Sequence, residues 1–306
     1  MSEATYPLTP WLWPEEGVLE IFDAAENRIV LLALRFLRLG HVLDWNYILF
    51  ACKAVVNESD GVLYHDRRED TPLHTVDLTS TPEAGKYLYL RSRDRHDQHH
   101  ARHDQHHAHH DQHHAHHDQS SCTWATGPRF KYARRGPDIT DTASDTMSHS
   151  SRSTIHQNTF REELRARDGF CLVTGHRDAV AAHILPQSRP EYYREILGYD
   201  PGYYFYVSFG LFLDPKHHHA FDRGSLALYP CSSEQGHFIV HVFDFVDGIA
   251  GHGKRITPST FRVAHPVELP DRRLLMFHYR QCLIKHARGF ASFPGLDQLA
   301  DGAQLA

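Results

Sequence analysis

Residues 171–186 read C-L-V-T-G-H-R-D-A-V-A-A-H-I-L-P, and this stretch decides the fold because two apolar runs flank a short polar turn. The first run, Phe170–Gly175, predicts a strand that enters the turn. The second, Val180–Leu185, predicts a strand that stops before Pro186, since proline cannot donate to a strand ladder. His183 is therefore expected at a strand end, beside a loop.

Residues 210–224 continue the unit and read G-L-F-L-D-P-K-H-H-H-A-F-D-R-G. Tyr203–Leu213 predicts another strand. Asp214 followed by Pro215 is typical of a helix start, because the carboxylate can accept hydrogen bonds from free backbone amides and proline fits the first helical position. A helix of about two turns is predicted over Lys216–Asp222.

This order of strand, loop, strand and helix could hold one divalent cation between hairpin and helix. His218 and Asp222 are four residues apart and so project from one helix face, where they could bind the metal. Phosphodiester cleavage needs a base that activates water and a cation that neutralises the phosphate. His183 could supply the base.

Each of these residues also has a simpler structural interpretation. A histidine such as His183 can be buried and bonded to backbone. The run His217–His219 can be exposed helix surface. Asp222 can pair with Arg223 or cap the following turn instead of binding a metal.

Taken together, the quoted segments resemble the HNH endonucleases, and most closely the branch common in fungal proteins that is written C-x-x-T-G, A-H-I-x-P, N-G-x-x-L and H-x-x-F-D. The resemblance implies an α+β fold with a ββα-metal core. It also implies that His183 is the general base and that His218 is catalytic and helps to bind a Mg²⁺, Mn²⁺ or Zn²⁺ ion, with DNA as the partner. Cys171 is expected in the core, because Thr174 stands where a second zinc cysteine would be needed.

Two positions depart from the family pattern. Ala182 stands where many members have a metal-binding Asp, and Phe209 stands where the Asn before Gly210 is expected, which leaves Ser208 as the nearest polar candidate for orienting the base. Loss of such supporting groups commonly costs about 10–100-fold in affinity or activity. The sequence thus predicts an HNH-type metal-dependent nuclease, and leaves open a catalytically inactive HNH module that binds nucleic acid or protein.

The predicted domains are an N-terminal α+β region at 1–92, a low-complexity linker at 93–157, the HNH-like core at 158–230 and a C-terminal strand and helix at 231–306. Further elements are predicted from periodicity and capping signals. The predicted strands are Val18–Phe22, Val62–Tyr64, Lys86–Leu90, Leu226–Tyr229 and Gly236–Phe243. The predicted helices are Arg28–Leu39, Trp45–Val56, one starting at Thr159 and ending at Gly169, and Asp271–His286.

A heptad repeat at 96–119 contains 12 of the 28 histidines and no large apolar residue. Such a segment cannot bury enough surface to offset its ordering entropy, so disorder or a solvated helix is expected. Imidazoles at this spacing could store metal ions, or the repeat could be an expansion in a tolerant loop. Residues 129–135 interleave basic and aromatic groups, as a nucleic-acid arm or a solvated linker would.

Composition limits the remaining function classes. The chain has 306 residues, is 41% hydrophobic and has a formal net charge of −6, which disfavours strong non-specific attraction to nucleic acid. No apolar run reaches the roughly 20 residues of a membrane span, and the first residues lack the pattern of a signal peptide. Five scattered cysteines without a C-x-x-C pair suit a reducing compartment. An intracellular protein of the nucleus or cytoplasm, not secreted and without a membrane partner, is expected.

Overall fold

The structure is a computed structural model that describes residues 17–57, 60–65, 74–91, 154–231, 236–244, 249–262 and 268–287. Its contacts divide the chain into two compact units, one of residues 1–127 with 283–306 and one of residues 128–282. Helices and separate antiparallel and mixed sheets occur in the described residues, so the predicted α+β class is confirmed. The histidine repeat at 96–119 and the basic segment at 129–135 lie outside the described residues.

The first unit is built on a four-stranded sheet with the order β2-β1-β4-β3. β1 pairs antiparallel with β2 and parallel with β4, and β4 pairs antiparallel with β3. Its elements are β1 (Val18–Phe22), β2 (Arg28–Ala33), α1 (Leu34–Leu39), α2 (Trp45–Val56), β3 (Gly61–His65) and β4 (Gly85–Arg91). The predictions of β1 and α2 are confirmed at the residue level, and the strands predicted at 62–64 and 86–90 lie inside β3 and β4.

The predicted helix over Arg28–Leu39 is wrong in its first half, which forms β2. Ile29 and Val30 are β-branched, and every residue from Ile29 to Ala33 is buried. A strand that is buried on both faces reads as a continuous apolar run, which periodicity alone cannot distinguish from a helix.

The second unit contains a two-stranded sheet, β5-β6, and a three-stranded antiparallel sheet, β7-β8-β9. Its elements are α3 (Thr154–Asp168), β5 (Val180–His183), α4 (Pro190–Leu197), a 3-10 turn (Val207–Phe209), β6 (Gly210–Leu213), α5 (Pro215–Asp222), β7 (Leu226–Pro230), β8 (Phe238–Val242), β9 (Arg255–Ile256) and the start of α6 (Arg272–His286). The predicted β7 and α5 are confirmed, and the predicted helix over Asp271–His286 is confirmed as α6. The strand predicted over Gly236–Phe243 shortens to β8.

Four local predictions in this unit are corrected. Helix α3 begins before Thr159, whose hydroxyl donates to the carbonyl of Ile155 at 3.1 Å inside the helix. Phe170–Gly175 is a turn rather than a strand, because the amide of Gly175 donates back to the carbonyl of Cys171 at 2.7 Å. Only the last four residues of Tyr203–Leu213 form a strand. Helix α4 lies between β5 and β6, where a loop was predicted.

A buried ion pair at the end of α3 holds this unit together. The guanidinium of Arg167 contacts both carboxylate oxygens of Asp168, at 2.5 and 2.8 Å, and both residues are at most 3% exposed. It also donates to the carbonyls of Val207, Glu268 and Gly210 at 2.7–3.1 Å. All five N–H groups of the guanidinium therefore have acceptors, which is the condition under which a buried charge is tolerated.

The described residues also bear on membrane insertion. No helix in the described ranges combines the length and the apolar character that crossing a bilayer requires.

Arg167→Met should destabilise the protein by about 3–5 kcal/mol, because it leaves the carboxylate of Asp168 buried without its partner. Urea unfolding followed by circular dichroism measures the change. Arg165→Ala is the matched control, since Arg165 is exposed on the same helix and should cost less than about 0.5 kcal/mol. Equal midpoints for the two variants would show that the pair does not stabilise the fold.

Candidate active site

The hairpin β5-β6 positions His183 at its open end. In the antiparallel register His183 lies opposite Gly210. A Cβ atom at Gly210 would come within 2.3 Å of the ring of Phe160 and within 2.9 Å of Leu164. Glycine at this position therefore lets α3 pack directly on β6, and it brings the ring of Phe160 to the histidine.

The imidazole of His183 is insulated by aromatic rings. It stacks on Phe160 with ring centroids 4.3 Å apart and meets the ring of Phe205 edge-on at 5.4 Å. Burial lowers the pKa of His183 from 6.5 to about 4, because the charged ring loses its solvation. The ring is therefore neutral at pH 7, which is the form that a general base requires.

Two groups contact the nitrogens of this ring. A hydrogen bond to the backbone of Tyr204 opposes the effect of burial and raises the pKa, as expected for a carbonyl that accepts from the ring. The amide nitrogen of Gln187 lies 2.9 Å from Nε2 and 3.2 Å from Nδ1 of His183. A donor on the in-plane lone pair of one ring nitrogen would lie much farther from the other, so these nearly equal distances place the Gln187 amide against the ring rather than on a lone pair.

Helix α5 begins as the sequence predicts and presents His218 and Asp222 on one face. The backbone amide of His217 donates to the side chain of Asp214, and Pro215 occupies the first turn. His218 Nε2 lies 3.2 Å from a carboxylate oxygen of Asp222, and the two side chains are 30% and 36% exposed. Asp222 thus forms an i,i+4 pair with His218.

His183 and the pair on α5 lie within electrostatic range of each other. After burial and the Tyr204 hydrogen bond, the charge of His218 lowers the pKa of His183 further, whereas the charge of Asp222 raises it. The hairpin and the helix thus bring together the three residues singled out from the sequence. Their catalytic and metal-binding roles stay predictions.

The donor set fits an open metal site only. His218 and Asp222 supply one imidazole and one carboxylate, which suits a cation that keeps several water ligands or also binds substrate phosphate. Within the described ranges, no group of three or more His, Cys, Asp or Glu residues has the geometry to enclose a metal ion. A closed four-ligand site of the structural zinc type is not formed by these residues.

The start of α5 is tied to the turn at Cys171 by hydrogen bonds. The carboxylate of Asp214 accepts from the hydroxyl of Thr174 at 2.8 Å and from the thiol of Cys171 at 3.4 Å. His217 Nδ1 lies 3.0 Å from the same carboxylate, and its Nε2 lies 3.1 Å from the carbonyl of Ala250. This cluster fixes the helix without a metal, and the expectation that Cys171 is buried is confirmed.

The two departures from the family pattern are core positions. Ala182 is 1% exposed and Phe209 is 4% exposed, and both belong to the apolar core of the unit. Neighbouring residues in a strand point to opposite faces, so Ala182 faces the core while His183 faces the rings of Phe160 and Phe205. The contacts described for the imidazole involve Gln187 and Tyr204, and the orienting role of Ser208 stays a prediction.

Sequence reasoning missed the groups that surround the base. Gln187 follows His183 by four residues, directly after Pro186, and no motif letter marks it. Tyr204 acts through its backbone, which no side-chain pattern can reveal. The aromatic density of residues 203–209, four Tyr or Phe rings before Val207 and one after Ser208, was the available signal.

Comparison with known proteins assigns the same region. Residues 171–229 match a family model described as HNH endonuclease. The match runs from the Cys171 turn through the hairpin, α4 and α5 into β7, so it contains every candidate residue named above. No curated protein and no solved structure matches the chain.

Asp214→Asn should cost about 2 kcal/mol at neutral pH, and the difference should vanish in acid. Burial raises the pKa of Asp214, but hydrogen bonds from the amide and ring of His217 and from Thr174, with the charge of His217, outweigh it and lower the pKa from 3.8 to about 2. A depressed carboxyl pKa stabilises the fold above the unfolded pKa, near 3.9, and this contribution is lost as pH falls toward 2.

Urea unfolding of both proteins between pH 2 and pH 7 checks this expectation. The substitution keeps one oxygen that can cap α5 but loses the second acceptor oxygen, so only the pH-dependent part of the difference reports the charge. A stability difference that is constant across this pH range would contradict the assignment.

Ala182→Asp should destabilise the protein by about 3 kcal/mol or more, because the core offers the carboxylate no partner. Ala166→Asp, on the exposed face of α3, is the control and should cost less than about 1 kcal/mol. Thermal unfolding measures both. A stable Ala182→Asp protein with increased cleavage would show instead that this side chain reaches the metal position.

Proposed function

We propose that the protein is a metal-dependent nuclease that hydrolyses phosphodiester bonds in DNA, a function supported by the match of residues 171–229 to an HNH endonuclease family model. The observation that carries the proposal is a neutral, insulated imidazole, His183, within electrostatic range of the exposed pair His218 and Asp222. A base and an open cation site in one place are the two requirements of this chemistry. We expect the enzyme to act in the nucleus or cytoplasm.

His183 would act as the general base. The acceptor nitrogen of its neutral ring would take a proton from the attacking water, while the Tyr204 carbonyl holds the opposite side of the ring and stabilises the imidazolium that forms. Stacking on Phe160 fixes the ring plane. The proton would leave the ring before the next turnover, which the low pKa of about 4 favours.

His218 and Asp222 would hold the cation on the outer face of α5. When bound, a divalent ion supplies positive charge that neutralises the phosphate and the leaving oxygen. His218 and Asp222 contact each other at 3.2 Å, so they would give up that contact in order to bind the cation. Their partial exposure leaves room for water and a phosphate oxygen.

Gln187 would have to move during the reaction. Its amide lies 2.9 Å and 3.2 Å from the two ring nitrogens of His183, against the ring that the attacking water would have to approach. The side chain is half-buried at the end of the hairpin, so substrate can displace it. The same amide could then donate to a phosphate oxygen.

A second function is a catalytically inactive HNH module that binds nucleic acid or protein. Two observations favour it: the donor set supplies only two metal ligands, and Gln187 covers the base. The two functions differ in whether cleavage depends on both a metal ion and His183.

Supercoiled plasmid incubated with the protein and Mg²⁺, Mn²⁺ or Zn²⁺ should be nicked, and EDTA should stop the reaction. His183→Ala should lower the nicking rate by about 100-fold or more, because the general base is lost. His218→Ala should lower the rate at fixed metal concentration and be partly rescued by more metal. Gel electrophoresis measures the products.

His219→Ala is the matched control, since His219 is an exposed neighbour on α5 and should leave the rate unchanged. Thermal unfolding establishes that each variant is folded. Absence of metal-dependent nicking in the wild type, or equal rates in the wild type and His183→Ala, would eliminate the nuclease and leave the binding module.

A further inference from the structure

Two arginines flank one exposed aromatic ring in the turn that follows α3. The guanidinium of Arg262 lies 4.9 Å from the ring centroid of Phe170, and that of Arg177 lies 5.9 Å from it. Phe170 is 36% exposed, and both arginines are exposed. Cation–π contacts with one ring therefore hold two like charges near each other at the surface.

A backbone hydrogen bond positions Arg262. Its amide donates to the carbonyl of Arg167 at 2.7 Å, which fixes it beside the end of α3. A Cβ atom at Gly169 would come within 2.2 Å of the Arg262 side chain, so only glycine leaves room for the guanidinium over the turn. The arrangement is thus built by the fold around the buried ion pair.

Neither guanidinium has an acidic partner among the residues that the structure describes. The exposed carboxylate of Asp178 follows Arg177 in sequence, yet no ion pair joins them. Three other arginines of the unit do have acidic partners: Arg189 with Glu191, Arg194 with Asp200 and Arg273 with Asp271. Arg177 and Arg262 therefore keep their N–H donors available for an external anion.

A third cation lies at the same turn. The ammonium of Lys254 donates to the carbonyl of Val173 at 2.8 Å, which uses one of its three N–H groups. The carboxylate of Asp214, which contacts this turn, is engaged with Thr174 and His217. We define Arg177, Arg262, Lys254 and Phe170 as the basic turn patch, a positive site on a chain whose formal net charge is −6.

We propose that the basic turn patch binds the phosphate backbone of DNA away from the candidate active site. The planar guanidinium fork matches phosphate oxygens, and two such forks beside a lysine fit a polyanion better than a single small anion. The proposal rests on the proposed function for its substrate and deepens it by naming a second contact with that substrate.

Strand β5 connects the patch to His183. Six residues separate Arg177 from His183, so the two lie at most about 22 Å apart along the chain. One DNA strand advances 3.4 Å per nucleotide along its axis, so this limit corresponds to about six nucleotides. One short duplex is therefore long enough to span both.

Binding of a fluorescent duplex, measured by anisotropy in EDTA over a range of salt concentrations, tests the patch without requiring cleavage. The variant is Arg177→Gln with Arg262→Gln. The slope of log affinity against log salt should fall by about 1.8, because each lost phosphate contact removes about 0.9. Between 1 M and 0.1 M salt this corresponds to a relative loss of affinity of about 60-fold.

The matched control is Arg194→Gln with Arg273→Gln, which removes the same formal charge from exposed, paired arginines of the same unit. It should leave the slope nearly unchanged. Arg177→Lys with Arg262→Lys is a second variant that keeps the charge, so it should keep the slope while losing the fork geometry and some affinity.

Several outcomes would overturn the proposal. These are no wild-type binding, equal losses in the Gln variant and the control, or loss of the slope in the Lys variant. Binding of poly-glutamate that depends on Arg177 and Arg262, with DNA binding that does not, would assign the patch to an acidic protein instead.

The assay separates this proposal from the nuclease itself. Patch-dependent binding by a protein that never nicks plasmid would support the patch and eliminate the nuclease. Metal-dependent nicking with binding unaffected by the Gln variant would do the reverse.

Discussion

The geometry of the second unit depends on the buried guanidinium of Arg167. It pairs with Asp168 and also donates to the carbonyls of Val207, Gly210 and Glu268, while Asp168 accepts from the amide of Phe212 at 3.0 Å. One side chain thus joins the end of α3 to β6 and to a segment distant in sequence. A buried charge without partners costs several kcal/mol. The guanidinium therefore stays buried only while these acceptors remain in place around it.

The candidate site is assembled from two parts that the fold fixes separately. The imidazole of His183 is positioned by packing, since Phe160 from α3 and Phe205 from the loop before β6 contact and desolvate it. Helix α5 is positioned by polar contacts, since Asp214 caps it and is itself held by Thr174. Desolvation keeps the imidazole neutral, while His218 and Asp222 stay partly exposed to solvent. The same unit therefore presents a neutral imidazole and a partly exposed His–Asp pair within electrostatic range.

Local signals predicted the elements that local chemistry controls. Asp214 with Pro215 starts α5 where the sequence placed it, and α2 has its predicted bounds. The errors fall where tertiary contacts decide. β2 was taken for a helix because burial on both faces removes alternation, and the start of α3 was misplaced because Thr159 uses its hydroxyl inside the helix. Residues 171–175 were taken for a strand, although the contacts of Cys171 and Thr174 with Asp214 hold them as a turn.

The candidate site shows the same limit at the level of single residues. His183, His218 and Asp222 could be found because each carries chemistry in its side chain, whereas the Tyr204 carbonyl and the Gln187 amide depend on where the loop returns. Ala182 was interpreted as a lost metal ligand because a motif compares residue types at aligned positions and contains no information on which way a side chain points. The pleat of β5 turns that position into the core, so an aspartate there would meet apolar neighbours rather than a cation. A substitution at a family motif position therefore bears on activity only if the structure places that side chain on the face that carries the site.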